Sequence, residues 1–217
     1  MNIPNKISLA RICMMPIFIL CFLLDFPGSK FVALGIFVIA ALSDTLDGYI
    51  ARKYNMVTDL GKFLDPIADK LLATTGLVML IVGANPIIPN PYGVIVMFIM
   101  ILRDYEVTGI RQAGQLKGKI IAADKVAKMK ANFLYGTLVY GLLLASLREV
   151  STIAGTAFLT YFTIIFYVFV GITTALIIIS GLVYFINNID IFKEEKVENT
   201  AKSDIEDKKI TKKSTKK

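Results

Sequence analysis

Apolar residues run along this chain in long blocks, broken by short polar or proline-rich stretches. Six blocks stand out, at 7–24, 31–50, 65 to about 83, 94–110, 131–147 and 157–186. At ~1.5 Å of rise per residue, blocks of this length suit helices that cross a hydrocarbon layer about 30 Å thick. The pattern predicts an all-α integral membrane protein, a six-transmembrane-helix bundle. The breaks are of different kinds. Residues 25–30 hold Pro27 and Gly28, and 84–93 hold three prolines and no charge, so both read as turns. Residues 52–64 read as a polar connection, 113–129 as a basic one and 148–156 as a loop. Asp65 precedes Pro66, and proline suits the first helical position while disfavouring helix for its predecessor. Asp65 is therefore predicted to cap the third helix, with Asp69 one turn inside. Beyond 192 the chain turns almost wholly polar. The predicted organisation is one membrane domain at 1–192 and a disordered charged tail at 193–217. No internal repeat is visible.

Composition sharpens the picture only in part. The 217 residues are 55% apolar and carry a net charge of +7. Such a charge can signal nucleic acid, but here Lys and Arg concentrate in 52–64, in 112–130 and in the tail. That distribution fits membrane orientation and anionic lipid instead, and it predicts both termini on the cytoplasmic side. The tail lysines either touch anionic lipid or simply solubilise. Cys13 and Cys21 share the first apolar block, which points to neither a disulfide framework nor a metal site. No small-residue cleavage site follows that block, so it is read as a retained span.

Charged side chains inside or beside the blocks carry the candidate chemistry. Asp44 and Asp47 end the second block, and Asp65 and Asp69 open the third. Offsets of three and four place each pair on one helix face. The full spacing is D-x2-D-G-x2-A-R-x8-G-x3-D-x3-D, with Gly48, Ala51, Arg52 and Gly61 at the intervening fixed positions. Two neighbouring helices meeting at one depth would gather four carboxylates, which repel unless protons or cations neutralise them. The chain has no histidine, so an all-oxygen site favours Mg or Mn over Zn. Two such cations would clamp the attacking and leaving oxygens of a phosphoryl transfer. Gly48 leaves room for a bulky group beside the backbone, and Arg52 suits a phosphate. The plainer alternative is solvated loop acids, yet acids at span ends are rare and functional by default.

Cations are also misplaced for a purely structural reading. Arg11 lies one turn into the first block and must face the interior or snorkel outward; topology anchor and substrate contact are both open. Arg103 and Arg111, eight apart in the fourth block and its end, join Lys128 and Lys130 before the fifth. Together they form a candidate phosphate pocket. Positive-inside flanking is the plainer reading, but Arg103 sits well inside an otherwise apolar run.

The acidic pattern resembles the signature of the CDP-alcohol phosphotransferases, with every fixed position present. The resemblance implies a six-helix catalytic domain that displaces CMP from a CDP-linked lipid or alcohol with the hydroxyl of a second alcohol. Asp44, Asp47, Asp65 and Asp69 would hold two divalent cations, and Asp69 would serve as general base. Gly48, Ala51, Arg52, Thr58 and Gly61 would bind the CDP-diacylglycerol donor. The flanking stretches NIPNKISLARI, GKFLDPIADK and LRDYEVTGIR resemble those of bacterial phosphatidylglycerophosphate synthases. That likeness covers residues 2–190 and implies glycerol 3-phosphate as acceptor, held by Arg103, Arg111, Lys128 and Lys130. It further implies a bacterial cell-membrane location and allows a homodimer, while the positive-inside distribution puts the four-Asp active site on the cytoplasmic side with the termini. Two positions depart from the subfamily: Asp104 stands where glutamate is usual, and Ala131 replaces a threonine. Other acceptors (phosphatidylglycerol, inositol phosphate, serine) remain open. From other classes, a divalent-cation transporter and a non-catalytic scaffold also remain.

Overall fold

A computed structural model describes residues 2–24, 26–54, 58–83, 85–117, 125–150 and 155–192. The described residues form α1 (Ile3–Leu23), α2 (Ser29–Lys53), α3 (Asp59–Ile81), α4 (Tyr92–Leu116), α5 (Lys125–Glu149) and α6 (Ala157–Asn188), closed by a 3-10 turn at Ile189–Phe192. No strand occurs among them. The predicted tail, 193–217, lies outside the described residues.

Three of the helices, over Pro4–Leu23, Ser29–Gly48 and Ala157–Asn188, are long and apolar enough to cross a membrane. The α3, α4 and α5 segments are of similar length but carry charged residues over their ends and middles. Large apolar side chains point outward on several helices, among them Ile17, Leu20, Ile39 and Leu42, then Phe98, Leu102, Ile164 and Leu182. An apolar exterior of this extent is the surface that lipid covers.

Inside, α2, α3, α5 and α6 share one core in which Phe37, Leu72, Leu80, Leu138, Leu142 and Phe166 are fully buried. Between helices in lipid, close approach and dispersion replace the aqueous hydrophobic drive. Gly141 shows how close: a Cβ there would sit 2.6 Å from Leu80 Cδ1 and 2.8 Å from Phe166 Cε2. A hydroxyl pair, Thr137 and Thr173 at 2.7 Å, ties α5 to α6 within the same interior.

Two boundaries differ from the sequence expectation. Residues 59–64 are helical rather than connecting, so the α2–α3 connection is much shorter than 52–64. Thr58, not Asp65, caps α3: its Oγ1 accepts the Gly61 N–H at 3.1 Å and donates to Asn5 Oδ1 at 3.0 Å. Pro66 therefore lies inside the helix, which costs the carbonyl one turn earlier its partner. A capped first turn, braced by buried Asn5 on α1, outweighs that local loss. The basic connection at 113–129 contracts likewise, because α4 continues to Leu116 and α5 begins at Lys125.

Candidate active site

On α1, residues at offsets of three and four face the bundle. Asn5, Ser8, Arg11, Met15 and Phe18 are all buried. The stripe is polar for its first two turns and apolar beyond. Because α1 packs against both α2 and α3, its polar half meets the two acidic pairs.

Arg11 is the centre of that meeting. Its side chain is 0% exposed, and its two terminal nitrogens bond different carboxylates: Nη1 to Asp44 Oδ1 and Nη2 to Asp47 Oδ2, each at 2.6 Å. Asp47 is almost as buried as Arg11, whereas Asp44 is 42% exposed and opens outward. The Ser8 hydroxyl lies 2.8 Å from Asp65 Oδ1 and 3.2 Å from Asp47 Oδ2, with its one proton available to either, so it sits between the first acidic pair and the second. Thus Asp44, Asp47 and Asp65 form one connected cluster across α2 and α3, held from α1.

Asp69 faces elsewhere. The Tyr135 hydroxyl donates to its Oδ1, linking α3 to α5 across 66 positions of sequence. Asp69 still lies within electrostatic range of Asp44 and Arg11. It also lines a cavity of about 260 Å³ between α3, α4, α5 and α6. Four cations border this cavity, Lys70, Arg103, Arg111 and Lys130, together with two carboxylates, Asp69 and Asp104. The imbalance leaves the described lining with more positive than negative side chains, the sign that suits an anion. Lys130 and Arg103 both pair with Asp104 Oδ1, at 3.1 and 3.3 Å. Arg103 also donates to Ser180 Oγ at 2.9 Å, while its buried Nε has no partner. Arg111 Nε reaches the Tyr184 hydroxyl at 3.3 Å, and Lys70 reaches Thr108 Oγ1 at 3.0 Å.

The sequence-predicted residues thus separate into groups. Arg103, Arg111 and Lys130 come together around one cavity, as the eight-residue spacing on α4 anticipated. Ala131 lines it too, with a methyl where a hydroxyl was expected. Asp104 is no passive substitution, since it bonds two of the cavity's cations. Thr58 and Gly61 build structure. Thr58 caps α3, and the Gly61 backbone runs so close to Asn5 that a Cβ there would lie 2.8 Å from Asn5 Oδ1. Gly48 lies on α2 one residue past Asp47. Ala51 and Arg52 also fall on α2, and Lys128 on α5, but their side chains lie outside the described residues.

Of the four carboxylates expected around shared cations, Asp44, Asp47 and Asp65 are joined through Arg11 and Ser8, while Asp69 is bonded by Tyr135 at the cavity. Among the described residues, no three Asp, Glu, His or Cys side chains converge as ligands of a single ion. Arg11 fills the space between Asp44 and Asp47, and Tyr135 turns Asp69 toward the cavity. The donor set nevertheless fits hard divalent cations. It is all oxygen, its carboxylates share one electrostatic neighbourhood, and its most buried pair is already closed on a positive charge. Sequence reading missed Ser8, Lys70, Tyr135 and the bridging role of Arg11. The three-residue spacing of Asn5, Ser8 and Arg11 was the available signal for two of them.

The sequence is similar to three enzymes named CDP-diacylglycerol–glycerol-3-phosphate 3-phosphatidyltransferase. That of Bacillus subtilis (strain 168) is 38% identical over 59% of this chain and 70% of the relative. That of Rickettsia bellii (strain RML369-C) is 37% identical over 59% and 68%, respectively. That of Pseudomonas fluorescens is 48% identical over a shorter stretch, 37% of this chain and 42% of the relative. The sequence profile of the CDP-alcohol phosphatidyltransferases matches residues 1–193, which include the carboxylate cluster and every described wall of the cavity, so the chain belongs to that family.

Proposed function

We propose that this protein transfers the phosphatidyl group of CDP-diacylglycerol to glycerol 3-phosphate, forming phosphatidylglycerophosphate and releasing CMP. One observation carries the reading: the Asp69 carboxylate, one turn beyond Asp65 on α3, lines a cation-edged cavity of about 260 Å³. The names of the similar enzymes supply the same pair of substrates. Asp44, Asp47, Asp65 and Asp69 would hold the divalent cations, Mg or Mn and two in number. Cations held there would supply charge neutralisation for the diphosphate and the departing CMP. Arg103, Arg111, Lys128 and Lys130 bind the acceptor phosphate, which presents its free hydroxyl to Asp69. That hydroxyl oxygen attacks the phosphorus bearing the diacylglycerol. The phosphoanhydride bond to CMP breaks, and Asp69 takes the hydroxyl proton. Gly48, Ala51, Arg52, Thr58 and Gly61 belong to the donor side.

Tests with purified protein, Mg and CDP-diacylglycerol decide the acceptor. CMP release should depend on glycerol 3-phosphate, with phosphatidylglycerophosphate as the lipid product. Release driven instead by phosphatidylglycerol, inositol phosphate or serine would keep the reaction type and replace the acceptor. Cation flux into liposomes without nucleotide would replace the reaction with transport.

The remaining parts of the reading follow from chain composition. Six spans, one per long helix, would put both termini on one side, and the basic connections favour the cytoplasm for both termini and the carboxylates. A bacterial cell membrane suits the organisms of the similar enzymes, and two copies could pair there as a homodimer. Residues 1–192 form the catalytic unit and 193–217 a dispensable tail. Removing 196–217 should leave specific activity in detergent within about twofold; a large loss would make the tail part of the enzyme.

A further inference from the structure

We infer that Arg11 is a positioning residue for the divalent cations: an internal counter-ion that spaces Asp44 and Asp47 and competes with the cation for them. The inference rests on the proposed reading of those carboxylates as cation ligands.

Arg11 belongs to α1, which contributes nothing to the acidic pattern. Its guanidinium is wholly buried, yet it does not grip one carboxylate with two parallel bonds, the usual strong arrangement. It spans two carboxylates with one nitrogen each, at 2.6 Å, and leaves its buried Nε without a partner. A guanidinium serving stability alone is poorly satisfied in this way. As a spacer it is well placed, since it fixes one oxygen of Asp44 relative to one oxygen of Asp47. Two carboxylates flank this single positive charge, and a third, Asp65, joins them through Ser8. The cluster is therefore still net negative and keeps an attraction for further cations. Every added cation must also approach a fixed positive charge that shares its ligands, and that repulsion weakens binding.

The prediction has a definite sign. Titration of metal-free protein in detergent with Mn²⁺, followed by calorimetry or by loss of the free-ion spin-resonance signal, reads binding without turnover. Arg11→Gln should bind Mn²⁺ on the order of 10-fold more tightly than wild type, with a metal-free Tm below wild type and a larger rise in Tm on adding the ion. Arg11→Lys keeps the charge but reaches one carboxylate. It should hold Mn²⁺ affinity within about threefold of wild type while lowering the metal-free Tm. Should Arg11→Gln fail to fold, the equally neutral Arg11→Met takes its place: tighter Mn²⁺ binding supports the charge effect, and equal or weaker binding overturns it. Equal or weaker Mn²⁺ binding by folded Arg11→Gln also overturns it. Asp47→Asn separates the two levels. If it binds Mn²⁺ as wild type does, the ligand assignment fails and the role of Arg11 falls with it. If Asp47→Asn is weakened but Arg11→Gln is unchanged, only the role of Arg11 fails.

Discussion

Asp69→Asn should lower kcat by roughly 10²- to 10⁴-fold, the span typical of losing a positioned proton acceptor. The amide matches the carboxylate in shape, and its carbonyl can still accept the Tyr135 hydroxyl, so the α3–α5 link and the fold should survive. What the amide lacks is a basic oxygen at the cavity wall. Binding of CMP or donor, measured separately, should stay within about threefold, because the first acidic pair and the α2 residues are untouched. Combined loss of turnover and CMP binding would instead make Asp69 a cation ligand first and a base second. Retention of full turnover would remove it from the chemistry.

The second large effect is expected at Arg103. Truncating a charged donor to a phosphate forfeits about 1.5–3 kcal/mol, so Arg103→Ala should raise the KM for glycerol 3-phosphate by roughly 10- to 150-fold. The effect on kcat should be smaller. Two controls isolate the phosphate contact. Ser180→Ala removes one of the internal partners of Arg103 and should change the KM little. Glycerol itself, tried as a phosphate-free acceptor, should be used equally poorly by wild type and Arg103→Ala. A matching decline with both acceptors would mean that Arg103 serves packing between α4 and α6. That alternative has a physical basis, since the Arg103 side chain lies against Gly181.

Asp104 bears on how that pocket works. It bonds both Arg103 and Lys130, so each of these two cations has an anionic partner before an acceptor arrives. A phosphate entering the cavity exchanges one anion for another rather than meeting bare charges. The aspartate that departs from the subfamily pattern thus has a use in three dimensions: it gives two buried cations a shared counter-charge.

The helices were legible along the chain because apolar block length is a local property. So were the paired acids, because offsets of three and four define a face wherever a helix forms. The α3 start was misjudged. Local rules for Asp65-Pro66 were sound, but the cap at Thr58 gains a partner, Asn5, more than fifty positions away. Arg11 and Tyr135 were beyond local rules for the same reason. Arg11 meets its acids across 33 and 36 positions, and Tyr135 meets Asp69 across 66.

By itself, the sequence determined a helical membrane chain with two acidic helix faces and a separate run of cations, since periodicity and spacing survive without knowing which helices touch. Only the tertiary structure decided that α1 delivers a buried arginine into the first acidic pair, that a tyrosine turns Asp69 toward the cations, and that these cations enclose a cavity. Those contacts depend on which faces pack together, and packing is a property of the whole bundle rather than of any segment.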